Sequence, residues 1–240
     1  MDPRLSVVIP FHDEAASLIE LHGEIARVLD ALDYASEIVF VDDGSRDAGP
    51  AIVEAVARLD PRVRMLSLSS RSGQSAALQA GFDAARGELV ATLDADGQNA
   101  PDDLPVLLDE LAQADCVCGY RVDRRDAFAK RLASRVANGV RRRALGDGVR
   151  DVGCSLRVMR ASYLRRVRLF HGGHRFLPAL LAMQGARIVE RPVRHRERRH
   201  GRSKYDIRRR LGAVWLDLLG VLWLQRRAAR PDVKELSRRA

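Results

Sequence analysis

The chain has 240 residues, 46% hydrophobic and 30% charged, the balance of a soluble globular protein long enough to bury one substantial core. Its net charge of +9 hides a segregation: residues 1–120 hold 8 Lys and Arg against 22 Asp and Glu, and residues 121–240 hold 33 against 10. No helix-in-groove, zinc-finger or RNP aromatic pattern accompanies the basic half, which excludes nucleic acid and favours an anionic membrane surface or a phosphorylated lipid.

Leu5–Ile9, cut short by Pro10, cannot supply the apolar core of a signal peptide and reads as a first strand, so the expected location is cytoplasmic. The helix after it keeps Leu18, Leu21, Ile25, Val28, Leu29 and Leu32 at helical spacing. A strand over 37–41 runs into Asp42-Asp43-Gly44-Ser45, and a helix near 48–59 follows. Strand 63–68, helix 75–86 and strand 88–93 complete this half. Apolar strands alternating with helices predict an α/β protein with a mostly parallel sheet and helices on both faces. Ligands bind such sheets at the carboxyl ends of the strands, where Pro10–Glu14, Asp42–Ser45 and Asp94–Gln98 would gather.

Beyond residue 120 the pattern loosens. Residues 122–144 give a basic helix whose stripe of Phe128, Leu132, Val136 and Val140 suits a membrane surface or the protein's own core. A strand over 154–159, a short helix over 174–184 containing Pro178, and a strand over 187–195 follow, Pro192 marking the last as an edge or a bulge. Leu211–Leu224 is the most apolar stretch; at fourteen residues it falls short of the ~20 that span a bilayer. Flanking arginines suit an anchor lying in one interface, with a subunit contact or a core helix as the alternatives. Cys116, Cys118 and Cys154 read as buried thiols.

The chemistry centres on Asp94-Ala95-Asp96-Gly97-Gln98. At the end of a strand, residues two apart share a side, so Asp94 and Asp96 can converge on one hard ion with the Gln98 amide as a third oxygen ligand. Magnesium or manganese fits better than zinc, because every donor is oxygen. The alternative is a turn in which an Asp caps the next helix. No glycine-rich phosphate cradle is present, so metal-bridged binding of a diphosphate points to sugar nucleotides rather than ATP or NAD.

On these residues the chain resembles the inverting family 2 glycosyltransferases of GT-A fold, a Rossmann-like α/β architecture. The shared pattern is Pro10–Glu14, Val41–Ser45 and Asp94–Asp96. It looks most like the branch of dolichyl-phosphate mannose synthase and the polyprenyl-phosphate glycosyltransferases. That branch is marked by Arg71–Gly81, Gly119-Tyr120-Arg121, Asp151–Arg157 and the run from His195 to Tyr205. His12 and Asp13 stand where the family more often has Tyr-Asn.

The resemblance implies that Pro10, His12, Glu14, Val41 and Asp43 contact the donor's nucleoside, and that Asp94, Ala95, Asp96 and Gln98 hold metal and diphosphate. It implies phosphate contacts for Arg121, Arg198, Ser203 and Lys204, with Asp94, Asp96 and Arg121 as the catalytic set. The expected reaction is metal-dependent (Mg2+ or Mn2+) inverting transfer from a nucleotide sugar of GDP-mannose or UDP-glucose type to a polyprenyl phosphate. Transfer to a saccharide hydroxyl, which needs a carboxylate base, and a silent sugar-nucleotide or membrane-binding module are the alternatives. The expected organisation is a glycosyltransferase domain over 1–205, divided near 120 into nucleotide and acceptor halves. A basic, apolar helix over 206–228 and a tail over 229–240 would follow it. Such a chain would sit on the cytoplasmic face of a membrane without crossing it, alone, as a homo-oligomer or with a membrane-protein partner.

Overall fold

The computed structural model describes residues 2–122, 139–198 and 207–228. Its centre is a seven-stranded sheet. Strand β1 (Leu5–Phe11) is buried along its whole length, and β2 (Ser36–Asp42) along all but its first residue. β3 (Val63–Ser67) closes one edge, and β4 (Leu89–Thr92) pairs with β1 on the other side. These four strands are mutually parallel. Pro10, which has no N–H to give, lies in β1 beyond Val8, the last residue registered with β4, where the lost ladder bond is harmless.

The other strands depart from a simple alternation. β5 (Cys116–Arg121) was not expected as a strand, and β6 begins at Arg157 rather than at Cys154, spanning Arg157–Arg160. β6 is antiparallel to both β4 and β5, so the sheet is mixed at this end. β7 (Ile188–Val193) returns parallel to β5 and closes the second edge, the position that Pro192 requires.

Alternate residues of the central strands supply two apolar layers. Val7 and Ile9 pack with Leu18, Leu21 and Ile25 of α1 (Ala15–Asp30) and Val53 of α2 (Gly49–Leu59). Val8, Val39 and Val41 pack on the opposite side with Leu78 and Phe82 of α3 (Gln74–Ala84). Short helix α4 (Leu104–Asp109) joins the first layer, and α5 (Leu177–Met183), with Pro178 in its first turn, joins the second.

The apolar stretch 211–224 lies inside a longer helix, α6 (Ile207–Arg227). Leu218 and Val221 are buried in the second layer, while Trp215, Leu216, Leu219 and Trp223 are exposed, so α6 is neither wholly core nor wholly free. Among the described residues no helix is long and apolar enough to cross a membrane. Most of the basic helix expected over 122–144 lies outside the described residues; its end, 139–145, is helical. The tail from 229 and the expected site residues Ser203 and Lys204 also lie outside them. The three cysteines are buried and form no disulfide.

Candidate active site at the carboxyl edge of the sheet

The loops after β1 and β2 are stitched together. His12 Nδ1 bonds the Asp43 carbonyl at 2.8 Å, Asp13 N donates to Ser45 Oγ at 3.0 Å, and Arg46 N donates to Asp13 Oδ1 at 2.7 Å. Asp13 has φ 51°, a left-handed conformation that Asp tolerates better than most side chains. Gly44 is needed at φ 68°: a Cβ there would stand 2.7 Å from Arg71 N. Beside these loops opens a cleft of about 610 Å³ lined by His12, Asp13, Asp42, Ser45, Ser69 and Arg71, among others.

Of the residues expected at the nucleoside, His12 lines this cleft, whereas Pro10 and Val41 are register partners inside the sheet. The Asp43 carboxylate turns to the neighbouring loop, accepting from Ser72 N at 2.6 Å and Gly73 N at 2.9 Å, and so fixes the entry to α3.

Asp94, Ala95, Asp96 and Gln98 follow β4. Burial first, and then the charge of Asp96, push the Asp94 carboxyl up to about 6; the Arg157 and Arg121 guanidiniums act in the opposite sense. Asp94 Oδ1 accepts from Gln74 Nε2 at 2.8 Å, and Asp94 N donates to Ser155 Oγ at 3.1 Å. Ala95 is buried, its carbonyl accepting from Ser17 Oγ at 2.6 Å. Asp96 Oδ2 meets Arg198 Nη2 at 2.5 Å, and Arg198 Nη1 lies 3.5 Å from Glu14 Oε1. The Gln98 amide nitrogen is 3.3 Å from the Arg196 carbonyl.

Arg121, at the end of β5, forks onto Asp151. Gly153 leaves room for that fork, since a Cβ on it would lie 2.7 Å from Arg121 Nη2. The buried Arg157 donates to the His174 and Val152 carbonyls at 2.9 and 2.7 Å.

The structure thus brings Glu14, Asp94, Asp96 and Arg198 together, with Arg121 near enough to act on Asp94. Gln74, Asp151, Ser155 and Arg157 belong to the same constellation but were not singled out in the sequence. Their segments, 71–81 and 151–157, carried the resemblance, which is the signal that could have found them. Asp94 and Asp96 are close enough for the charge of one to hold the other's carboxyl up, and such a pair of oxygen donors suits a hard divalent cation. Such arrangements bind anionic ligands through the cation and through the surrounding arginines.

The family model described as Glycosyl transferase family 2 matches residues 6–168. The dodecaprenyl-phosphate galacturonate synthase of Rhizobium johnstonii is 40% identical over 235 residues, 95% of this chain and 69% of that protein. The undecaprenyl-phosphate 4-deoxy-4-formamido-L-arabinose transferase of Edwardsiella ictaluri is 39% identical over 213 residues, 88% of this chain and 66% of that protein. The chain therefore spans about two thirds of the length of these relatives.

Among solved structures, Mycobacterium tuberculosis glucosyl-3-phosphoglycerate synthase with Mn2+, UDP and glucosyl-3-phosphoglycerate superposes with a TM-score of 0.67. It is 19% identical, with 93% of this chain and 80% of that one covered. A Pyrobaculum calidifontis mannosyltransferase with GDP-Man and Mn2+ gives 0.63 at 22% identity, covering 97% and 66%. The fold is the α/β architecture of GT-A type, and the chain belongs to glycosyl transferase family 2.

Proposed function

We propose that this protein transfers a sugar from a nucleotide-sugar donor to a polyprenyl phosphate, with a divalent metal ion, at the cytoplasmic surface of a membrane. The observation that carries the reading is the meeting, at one sheet edge, of a polar cleft, the Asp94 and Asp96 carboxylates, and Arg121 and Arg198. The relatives named for transfer to dodecaprenyl and undecaprenyl phosphate support the acceptor class. Their sugars, a galacturonate and a formamido-arabinose, widen the donor range beyond mannose and glucose.

In this reading the cleft beside His12 takes the nucleoside, with Asp43 holding the adjoining loop at Ser72 and Gly73 and Glu14 standing by Arg198 near the carboxylate pair. Asp94, Asp96 and the Gln98 amide would hold Mg2+ or Mn2+, whose chemistry when bound is to balance the charge that develops on the leaving diphosphate. Arg121 and Arg198 meet phosphate oxygens with planar guanidinium forks, and Ser203 and Lys204 serve the acceptor. A phosphate monoester is already largely anionic near neutral pH, so the nucleophile needs no protein base. The exposed apolar side chains of α6, next to Arg226 and Arg227, suit attachment to the surface where a polyprenyl headgroup lies.

Incubation with labelled UDP- and GDP-sugars and undecaprenyl phosphate tests the assignment. Label extracted into the organic phase with at least one donor is expected. Label that stays aqueous with every donor, while the protein remains folded, would overturn it.

A further inference from the structure

Arg198 reaches the carboxylate pair on a fastened segment. Arg194, Arg196 and Arg198 alternate along the chain, and each is paired with acid: Arg194 with Asp103 at 2.7 Å, Arg196 with Glu24 at 2.7 and 2.8 Å, Arg198 with Asp96 at 2.5 Å. The backbone is tied down as well, Arg196 N donating to the Gln98 carbonyl at 2.9 Å and Gln98 Nε2 returning to the Arg196 carbonyl at 3.3 Å. Arg198 is therefore held at Asp96 by the fastened residues that precede it, with a side chain only 21% exposed.

The guanidinium takes Asp96 Oδ2 at 2.5 Å while Oδ1 accepts from Gln98 N at 3.1 Å, so both oxygens already have partners. An ion at about 2.1 Å from that carboxylate and a guanidinium at hydrogen-bonding distance from it would be two positive groups a few ångströms apart sharing one negative charge. A metal ion arriving alone competes with Arg198 for Asp96 and, among the described residues, would leave the guanidinium only its 3.5 Å contact with Glu14. One arriving with a nucleoside diphosphate brings the phosphate oxygens onto which the displaced guanidinium can turn.

We infer that Arg198 is a stand-in cation on Asp96, which makes the site take its divalent ion together with a nucleoside diphosphate and resist the ion alone. This rests on the assignment of Asp94 and Asp96 as metal ligands. It adds an order of assembly: the pair is kept neutralised between turnovers, and metal affinity is coupled to nucleotide through one side chain.

Titration of Mn2+ by the loss of its free electron paramagnetic resonance signal tests this without turnover, using the full chain alone and with UDP or GDP. The wild type should bind Mn2+ weakly alone and more tightly with nucleotide. Arg198→Gln should tighten binding of Mn2+ alone about tenfold and shrink the nucleotide effect in proportion. Arg198→Lys, which keeps the charge, should stay near wild type, and circular dichroism should show both variants folded. An Arg198→Gln affinity for Mn2+ alone equal to or below that of wild type overturns the inference. Asp96→Asn separates the two levels: if it abolishes nucleotide-dependent Mn2+ binding, the metal assignment stands whatever Arg198 does. If it leaves Mn2+ binding unchanged, the assignment fails and the inference falls with it.

Discussion

Arg121 and Asp151 meet at two points, Nε to Oδ2 at 2.7 Å and Nη2 to Oδ1 at 2.8 Å, across thirty residues of sequence. Asp151 also accepts from Arg121 N and Gly153 N, each at 3.2 Å, and Glu190 Oε1 of β7 accepts from Arg150 N and Asp151 N at 2.8 and 3.3 Å. The plane of the guanidinium is thereby fixed next to Asp94, where a phosphate would have to be met in a set orientation. Arg121→Lys keeps the charge and loses the plane; kcat/KM should fall about 100-fold. Asp151→Asn should give a similar loss, chiefly through kcat. Steady-state kinetics with both variants decides it: activity retained by both would make the fork part of the scaffold only.

The half of the chain that could be read from sequence is the half in which burial is continuous. β1 and β2 are apolar on both faces, and α1 shows its spacing plainly, so periodicity alone locates them. β5 was missed because Cys116, Cys118, Gly119 and Tyr120 form no run of branched residues; what makes it a strand is its pairing with β6 and β7. The carboxylate pair was legible because its two members are two residues apart. Gln74 on Asp94, Asp151 on Arg121 and Arg198 on Asp96 join residues 20, 30 and 102 positions apart, which no local pattern can connect.

Close packing of α3 on the sheet depends on Gly81. A Cβ there would stand 2.3 Å from Val8 Cγ1 and 3.2 Å from Val41 Cγ2, both inside the second apolar layer. Gly81→Ala should cost about 1–3 kcal/mol in urea unfolding, the range for overpacking a core. Val8→Ala combined with it should recover part of that loss, because it removes the methyl group being struck. An additive double variant would show that α3 shifts as a body instead.

Acid should weaken the fold partly through Asp60. Its hydrogen bonds from Arg62, foremost the side-chain contacts at 2.9 Å, hold the carboxyl down to about 2 from an ordinary 3.8. A folded-state value below the unfolded one means stability that is full above the unfolded value and is lost as pH falls from about 4 towards 2. The contribution is about 1–2 kcal/mol after allowance for solvent screening at this partly exposed pair. Asp60→Asn should lower stability at pH 7 and flatten its fall between pH 4 and 2, measured by urea denaturation at each pH. An unchanged acid slope would place the loss at other carboxylates.

The exposed side of α6 carries the prediction about membranes. Trp215, Leu216, Leu219 and Trp223 are 48%, 71%, 61% and 63% exposed, whereas Leu218 and Val221 are buried and Gln225 Nε2 donates to the Leu145 carbonyl at 3.0 Å. At 100° per residue the four exposed side chains fall within an arc of roughly 100°, with Arg226 and Arg227 on or beside it. A large apolar side chain carried fully out of water contributes about 1.5–3 kcal/mol, and salt does not screen it. Each arginine near an anionic leaflet adds about 1 kcal/mol, fading over a Debye length of ~8 Å at physiological salt. Co-sedimentation with phosphatidylglycerol vesicles should therefore weaken but persist in 1 M salt. Replacing Leu216, Leu219 and Trp223 with Ser should leave the fold intact, because none of them is buried, and should make the remaining binding fully salt-sensitive. Replacing Leu218 instead should unfold the helix from the core and lower Tm. If the wild type stays in solution with these vesicles at low salt and sediments as a dimer that the triple substitution splits, the apolar arc is a contact between copies of the chain.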